Sequence, residues 1–133
     1  MIYINCDGGS RGNPGKAAIG IVLWDKNHKK LEEYKEYIGI ATNNIAEYKS
    51  LIKALKLAIK YSKEVEINMD SELVIKQIKG IYKVKATHLI SLLQEVKTNE
   101  KNFKKVIYHT VSRENIHQKA ADFLVNQSLD KIH

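Results

Sequence analysis

Four carboxylates in this sequence stand where chemistry could be done: Asp7, Glu47, Asp70 and Asp122. Asp7 ends the alternating run "YINCD", on the side of Tyr3 and Asn5 and opposite Ile4 and Cys6. Asp70 ends "VEINMD" in the same way, sharing a side with Glu66 and Asn68 against Ile67 and Met69. Each is expected to be the last residue of its strand, just before a turn or a helix start. If the two strands are neighbours, their carboxylates lie side by side at one sheet edge. Like charges at that range disfavour each other unless a cation or a proton intervenes. Glu47 follows "TNN" in the first turn of a helix, on the flank of the Tyr48–Leu51–Leu55 stripe. Asp122 falls early in the closing helix, within "KAADFLV".

Taken singly, each acid has an ordinary explanation. An acidic residue in a first helical turn answers the helix dipole, and a strand-end aspartate shapes a turn. Four at element ends that could face one place suit a hard divalent cation bound through oxygen, Mg²⁺ or Mn²⁺. Two such ions about 4 Å apart can activate a water and stabilise the leaving oxygen of a phosphodiester. Zinc does not fit: Cys6 is the sole cysteine, and His28, His88, His109, His117 and His133 show no paired spacing. Ser10 stands in no GxSxG setting, so a serine nucleophile has no support. The stretch "GGSRGNPG" at 8–15 lacks the GK[ST] ending of a P-loop, and a strand follows it rather than a helix. Its glycines read as backbone kept bare for the close approach of a sugar-phosphate strand.

The elements that must position these residues follow from periodicity. Strands are expected over 2–7, 17–24 and 31–39, joined by short polar turns into an antiparallel meander. A helix capped by "TNN" at 42–44 carries Ile45, Tyr48, Leu51, Ile52, Leu55 and Ile59 to about Ser62. A strand at 65–70 precedes a helix with Ser71 near its cap and Gly80 at its end. Another helix is expected over 87–98 and a last strand over 104–111. "RENIHQ" reads as a loop, and a final helix carries Ala120, Ala121, Leu124, Val125 and Leu129. The order indicates an α/β fold: a mixed five-stranded sheet, three strands antiparallel and two parallel, with helices on both faces. The length of 133 residues fits one domain, 1–133.

The charge, 22 − 15 = +7, favours a polyanionic partner, nucleic acid first. No apolar run reaches the length of a membrane span. The start "MIYINCDGG" reads as strand rather than signal peptide. A lone cysteine fits a reducing compartment, so a cytoplasmic location is expected.

These residues are similar to ribonuclease H, type 1. The resemblance rests on "DGGSRGNPG" at 7–15, "TNNIAEY" at 42–48, "MDSELVIKQIKG" at 69–80 and "HTVSRENIHQKAAD" at 109–122, in family order and spacing. It implies a ribonuclease H-like three-layer fold and hydrolysis of the RNA strand of an RNA–DNA hybrid by two Mg²⁺ ions, with Mn²⁺ able to substitute. The products it implies carry 5′-phosphate and 3′-hydroxyl ends. The family's acidic quartet falls on Asp7, Glu47, Asp70 and Asp122, with Asp7 bridging both ions. Glu47 would bind one ion and contact a 2′-hydroxyl, while Asp70 and Asp122 complete the separate shells. The backbone of Gly8, Gly9 and Ser10 would read RNA 2′-hydroxyls. Asn13, Thr42, Asn43 and Asn44 would hold the two strands, Asn13 and Thr42 at the DNA backbone. Ser71 and Arg113 are counted with the nucleic-acid contacts.

Three departures from the family pattern matter. "GIYKVKATHL" replaces a basic handle, leaving scattered lysines such as Lys83 and Lys85 to supply affinity. The family's mobile loop histidine is represented by Arg113 or by His117, either of which could serve. Glu72 replaces a glutamine common after the Asp-Ser pair. No obligate protein partner is evident in the sequence, and a monomer is expected. Two other readings stand beside it: a non-catalytic nucleic-acid-binding module on the same fold, and another two-metal phosphodiesterase of the wider superfamily.

Overall fold

The computed structural model describes residues 1–132, so His133 of the histidine survey lies outside the described residues. Strand alternation sets the frame. Ile2, Ile4 and Cys6 of β1 (Ile2–Gly12) and Ile19, Ile21 and Leu23 of β2 (Gly15–Trp24) are buried in one cluster. β3 (Lys30–Ala41) pairs antiparallel with β2, which pairs antiparallel with β1. After α1 (Asn43–Ala58), β4 (Glu64–Met69) pairs parallel with β1 on its free side. α2 (Glu72–Ile78) and α3 (Thr87–Glu100) then lead to β5 (Lys105–Thr110), parallel to β4, and α4 (Ile116–Asp130) closes the chain. The sheet order is β3-β2-β1-β4-β5, so the mixed five-stranded expectation holds. Residues 79–86 join α2 to α3 without a helix of their own, a compact connection with no basic handle.

Two layers of helix flank the sheet. Tyr48, Leu51 and Leu55 of α1, Val74, Ile75 and Ile78 of α2 and Val96 of α3 bury against the Ile4–Ile21–Ile67 face. Burying each such side chain contributes roughly 1.5–3 kcal/mol, so this face dominates stability. α4 covers the other face through a smaller contact, Val125 and Leu129 against Ala18. No helix among the described residues is long and apolar enough to cross a membrane.

Most ends move by a few residues, as where α1 stops at Ala58 rather than near Ser62, and two boundaries bear on the site. β1 does not end at Asp7; it pairs through the glycines, Gly8 with Ile19, Gly9 with Ala18, and Gly12 with Gly15 across the turn. Glycine carries no side chain with which to register alternation, so a paired strand and an open loop look alike in sequence. α4 begins at Ile116 rather than near Ala120, because Asn115 caps it, its Oδ1 accepting from the N–H groups of His117 and Gln118 at 3.0 and 3.1 Å. "IHQ" is therefore helical.

Candidate active site

The four acids arrive from β1, α1, α4 and the junction between β4 and α2. Asn5 and Asn68 are partners in the parallel β1–β4 ladder. Continuing that register by two residues sets Asp7 beside Asp70. Asp7 thus lies within β1, at the point where β4 has just stopped, rather than at its own strand's end as expected.

Two glycines then admit two helices. Gly8 turns to the α1 side, where an added Cβ would stand 2.2 Å from the Ala46 carbonyl oxygen and 2.6 Å from the Glu47 nitrogen. Gly20 is the Cα partner of Asp7 and turns to the α4 side, where a Cβ would meet the Ala121 oxygen at 2.3 Å. Backbone-to-backbone packing this close is open only to glycine. It draws Glu47 and Asp122 onto Asp7 from opposite layers. Gly8 is accordingly bare because α1 occupies the space, a different reason from the substrate approach read in the sequence. Glu47 lies beyond the first turn of α1 and Asp122 well inside α4, so neither is explained by answering a helix dipole.

Carboxylate oxygens of Asp7, Glu47 and Asp70 come within 4.8 Å of one another. Asp122 joins them along a cleft of about 170 Å³, which Gly8, Gly9, Ser10, Asn43 and Arg113 also line. Electrostatics follow from that crowding. Burial first, and then the charges of Asp70 and Asp122, push Asp7 up to about 8. Burial likewise raises Glu47 to about 7, with a Ser71 hydrogen bond opposing it. Asp70 is raised by burial and held back by Arg113, whose Nε lies 3.8 Å from its Oδ2. An all-oxygen cluster short of positive charge fits a hard divalent cation. Thiolate ligation is excluded, since Cys6 is fully buried and its thiol is pushed far up.

This arrangement has a pH signature. Between the ordinary carboxylate value of 3.8 and about 8, folded Asp7 holds a proton that the unfolded chain has released. Stability of the metal-free protein therefore falls as pH rises through that window. Mg²⁺ competes with those protons, so it should raise the melting temperature more at pH 8 than at pH 5. Thermal unfolding with and without Mg²⁺ checks this; a metal-free protein more stable at pH 8 than at pH 5 contradicts it.

The expected nucleic-acid contacts divide. Asn43 Oδ1 accepts from the Ser10 N–H at 2.8 Å and from its hydroxyl at 3.2 Å, and the Asn43 N–H donates to Asn13 Oδ1 at 3.2 Å. Ser10, Asn13 and Asn43 are thus one tied surface beside the acids. Thr42 caps α1, accepting from the Ile45 N–H at 3.2 Å; Ser71 caps α2; Asn44 is half-buried in the turn after Thr42. Gly9 has Val125 Cγ1 3.5 Å from where a Cβ would stand.

His117 does not join the acids. It stacks on His28 with ring centroids 4.8 Å apart and meets Trp24 edge-on, lining a separate cavity with Tyr3 and Asn115. The helical start at Ile116 turns its ring that way. Of the two loop candidates, Arg113 is the one at the cleft.

Sequence reasoning missed Asn5, Trp24 and Gln118, which form a hydrogen-bonded chain beside Asp7 with Asn5 and Gln118 buried and Trp24 half-buried. The one available signal was the placement of Asn5 on the Asp7 side of its strand.

Residues 5–128 match the family described as reverse transcriptase-like. Over 131 residues, 97% of this chain, the sequence is 41% identical to a bifunctional protein of Mycobacterium tuberculosis. The chain spans 35% of that relative's length. The N-terminal ribonuclease H domain of the same relative, solved as a fusion with maltose-binding protein, superposes with a TM-score of 0.92 over 97% of this chain and 93% of that one. The ribonuclease H1 of Halobacterium salinarum, 35% identical, gives 0.93 with 97% of each chain covered. LC11-RNase H1, solved in complex with an RNA/DNA hybrid and 40% identical, gives 0.92 with 98% of each covered. Similarity that runs the length of these domains, and not only through the short motifs, decides the matter: the chain belongs to the ribonuclease H family, type 1.

Proposed function

We propose that this protein is an endonuclease that hydrolyses the RNA strand of RNA–DNA hybrids with two Mg²⁺ ions, leaving 5′-phosphate and 3′-hydroxyl ends. The observation that carries the reading is the meeting of Asp7, Glu47, Asp70 and Asp122, far apart in sequence, along one cleft. Carboxylates buried together at a cost to their own ionisation suit a site that is completed by cations. The ions, once bound, supply an activated water and a stabilised leaving oxygen. Asp7, crowded by the other three acids, is the natural shared ligand. Glu47, Asp70 and Asp122 would complete the two shells, and Arg113, beside Asp70, would meet the approaching phosphate.

Hybrid recognition is assigned to the tied surface. With its Oδ1 committed to Ser10, Asn43 keeps its NH₂ group to donate to the substrate; Asn13, committed to Asn43, does the same. Gly8, Gly9 and Ser10 follow the RNA 2′-hydroxyls, while Asn13, Thr42 and Asn44 keep the strands in place. A net charge of +7 supplies the sequence-independent attraction. The protein acts as a monomer in the cytoplasm, where Cys6 stays reduced. LC11-RNase H1 holding a hybrid on the same fold supports the substrate assignment.

A panel of end-labelled hybrid, double-stranded RNA and double-stranded DNA, each in Mg²⁺, Mn²⁺ and EDTA, tests the proposal. Cleavage of the RNA in the hybrid, abolished by EDTA, is expected. Hybrid bound but left intact in both metals indicates a non-catalytic module. Cleavage indifferent to substrate indicates another phosphodiesterase of the superfamily.

A further inference from the structure

We propose that Gln118 is a positioning residue for the fourth carboxylate, its buried amide locking α4 to β1 in the register that sets Asp122 against Asp7. The inference rests on the hydrolytic reading above and adds to it a residue that touches neither substrate nor ion.

Gln118 is fully buried, and both ends of its amide are used on β1. Its Nε2 donates to the Cys6 carbonyl at 3.0 Å, and its Oε1 accepts from Asn5 Nδ2 at 3.0 Å. Trp24 Nε1 donates to Asn5 Oδ1 at 3.0 Å, which fixes which way the Asn5 amide faces. Leaving one such buried group unpaired costs about 1–3 kcal/mol, and a slip of α4 by one residue would break both Gln118 bonds at once.

Apolar packing does not set that register alone. The apolar contact beneath α4 is small, Val125 and Leu129 against Ala18, and Gly20 offers the helix a close backbone seat but no side chain to interdigitate with. The placement of Gln118 turns a packing preference into a catalytic alignment. Cys6 immediately precedes Asp7, and Gln118 stands one turn before Asp122 on the same helix face. The hydrogen bonds thus join α4 to β1 within one residue of Asp7 and one turn of Asp122. A one-residue slip would rotate Asp122 by about 100° away from Asp7.

The test is a double-mutant cycle of Gln118→Met, which keeps the length and loses the amide, with Asp122→Asn. Mn²⁺ affinity is read by calorimetry and hybrid cleavage by steady-state kinetics. Gln118→Met should lower kcat about 10–100-fold and weaken Mn²⁺ binding, as loss of a supporting partner does. KM for hybrid should stay within about twofold. In the Asp122→Asn background the same change should alter neither quantity further. A Gln118 with a merely structural role lowers the melting temperature while kcat and Mn²⁺ affinity stay unchanged below it; that result, or additive losses in the double variant, overturns the proposal. Should Gln118→Met fail to fold, Asn5→Ser, which leaves the Cys6 bond in place, enters the same cycle under the same criteria. Wild-type protein that binds Mn²⁺ but cuts no hybrid removes the hydrolytic reading, whereas the coupling of positions 118 and 122 in Mn²⁺ affinity decides this one.

Discussion

Asp7→Asn should abolish hybrid cleavage and, at the same time, make the metal-free protein more stable at pH 8. The two effects have one origin. Asp7 is buried against Asp70, Asp122 and Glu47, so its charge is costly to the fold and useful only when cations offset it. Replacing the carboxylate with an amide keeps the shape and removes the ligand that the proposed mechanism shares between two ions. A loss on the order of 10³–10⁴ in kcat corresponds to several kcal/mol of barrier at about 1.4 kcal/mol per decade. The stability gain has a defined pH window. At pH 8 wild-type Asp7 is held back from full ionisation in the fold but is fully ionised in the unfolded chain, and the variant escapes that penalty. Near pH 4 the wild-type carboxyl is protonated when folded, and the two proteins should melt together. Loss of activity alone would be expected of any damaging substitution. Loss of activity with a higher melting temperature at pH 8, and none at pH 4, is the signature of a charge cluster built for cations. A variant that melts lower than wild type at both pH values contradicts the account.

The second large effect is expected at the glycines under the helices. Gly8→Ala places a methyl group 2.2 Å from the Ala46 carbonyl oxygen, and Gly20→Ala places one 2.3 Å from that of Ala121. In both cases the obstacle is helix backbone, so a whole helix must move. α1 is anchored by Tyr48, Leu51 and Leu55 in the main core and cannot retreat cheaply. Gly8→Ala should therefore cost about 3 kcal/mol or more in stability. α4 is held by a smaller apolar contact, so Gly20→Ala should cost less stability but displace Asp122 and reduce cleavage at least tenfold, or about 1.4 kcal/mol of barrier. Gly39 supplies the control. It has a φ of +87° and open space where a Cβ would go, so Gly39→Ala should cost about 1 kcal/mol of backbone strain and leave cleavage intact. Chemical denaturation and hybrid cleavage of the three variants check the ordering. Equal losses of activity in all three would show that the glycines matter for general stability and not for seating the acids.

What could be read from the sequence divides along physical lines. Alternation in "YINCD" and "VEINMD" placed Asp7 and Asp70 on corresponding sides of their strands, and parallel pairing of β1 with β4 brings them together. Helical spacing found α1, α2 and α3 because their apolar faces bury against the sheet. The extent of β1 was hidden because Gly8, Gly9 and Gly12 carry no pattern. The start of α4 was hidden for a different reason: apart from Ile116, which is exposed, residues 113–119 are polar and read as loop, although Asn115 caps and Gln118 is buried. A buried amide cannot be told from an exposed one by residue type, so the support beside Asp7 emerged only from coordinates. His117 was drawn toward the acids by its closeness to Asp122 in sequence, yet the helical turn between them sends its ring to His28 and Trp24.

The most direct measurement is anomalous diffraction from a Mn²⁺-soaked crystal of the protein bound to a hybrid whose scissile linkage resists cleavage. Two manganese peaks are expected at one RNA phosphate, one touching Glu47 and the other Asp122, with Asp7 reaching both. Peaks lying away from these acids, or a hybrid seated with its DNA strand at the cleft, would contradict the account.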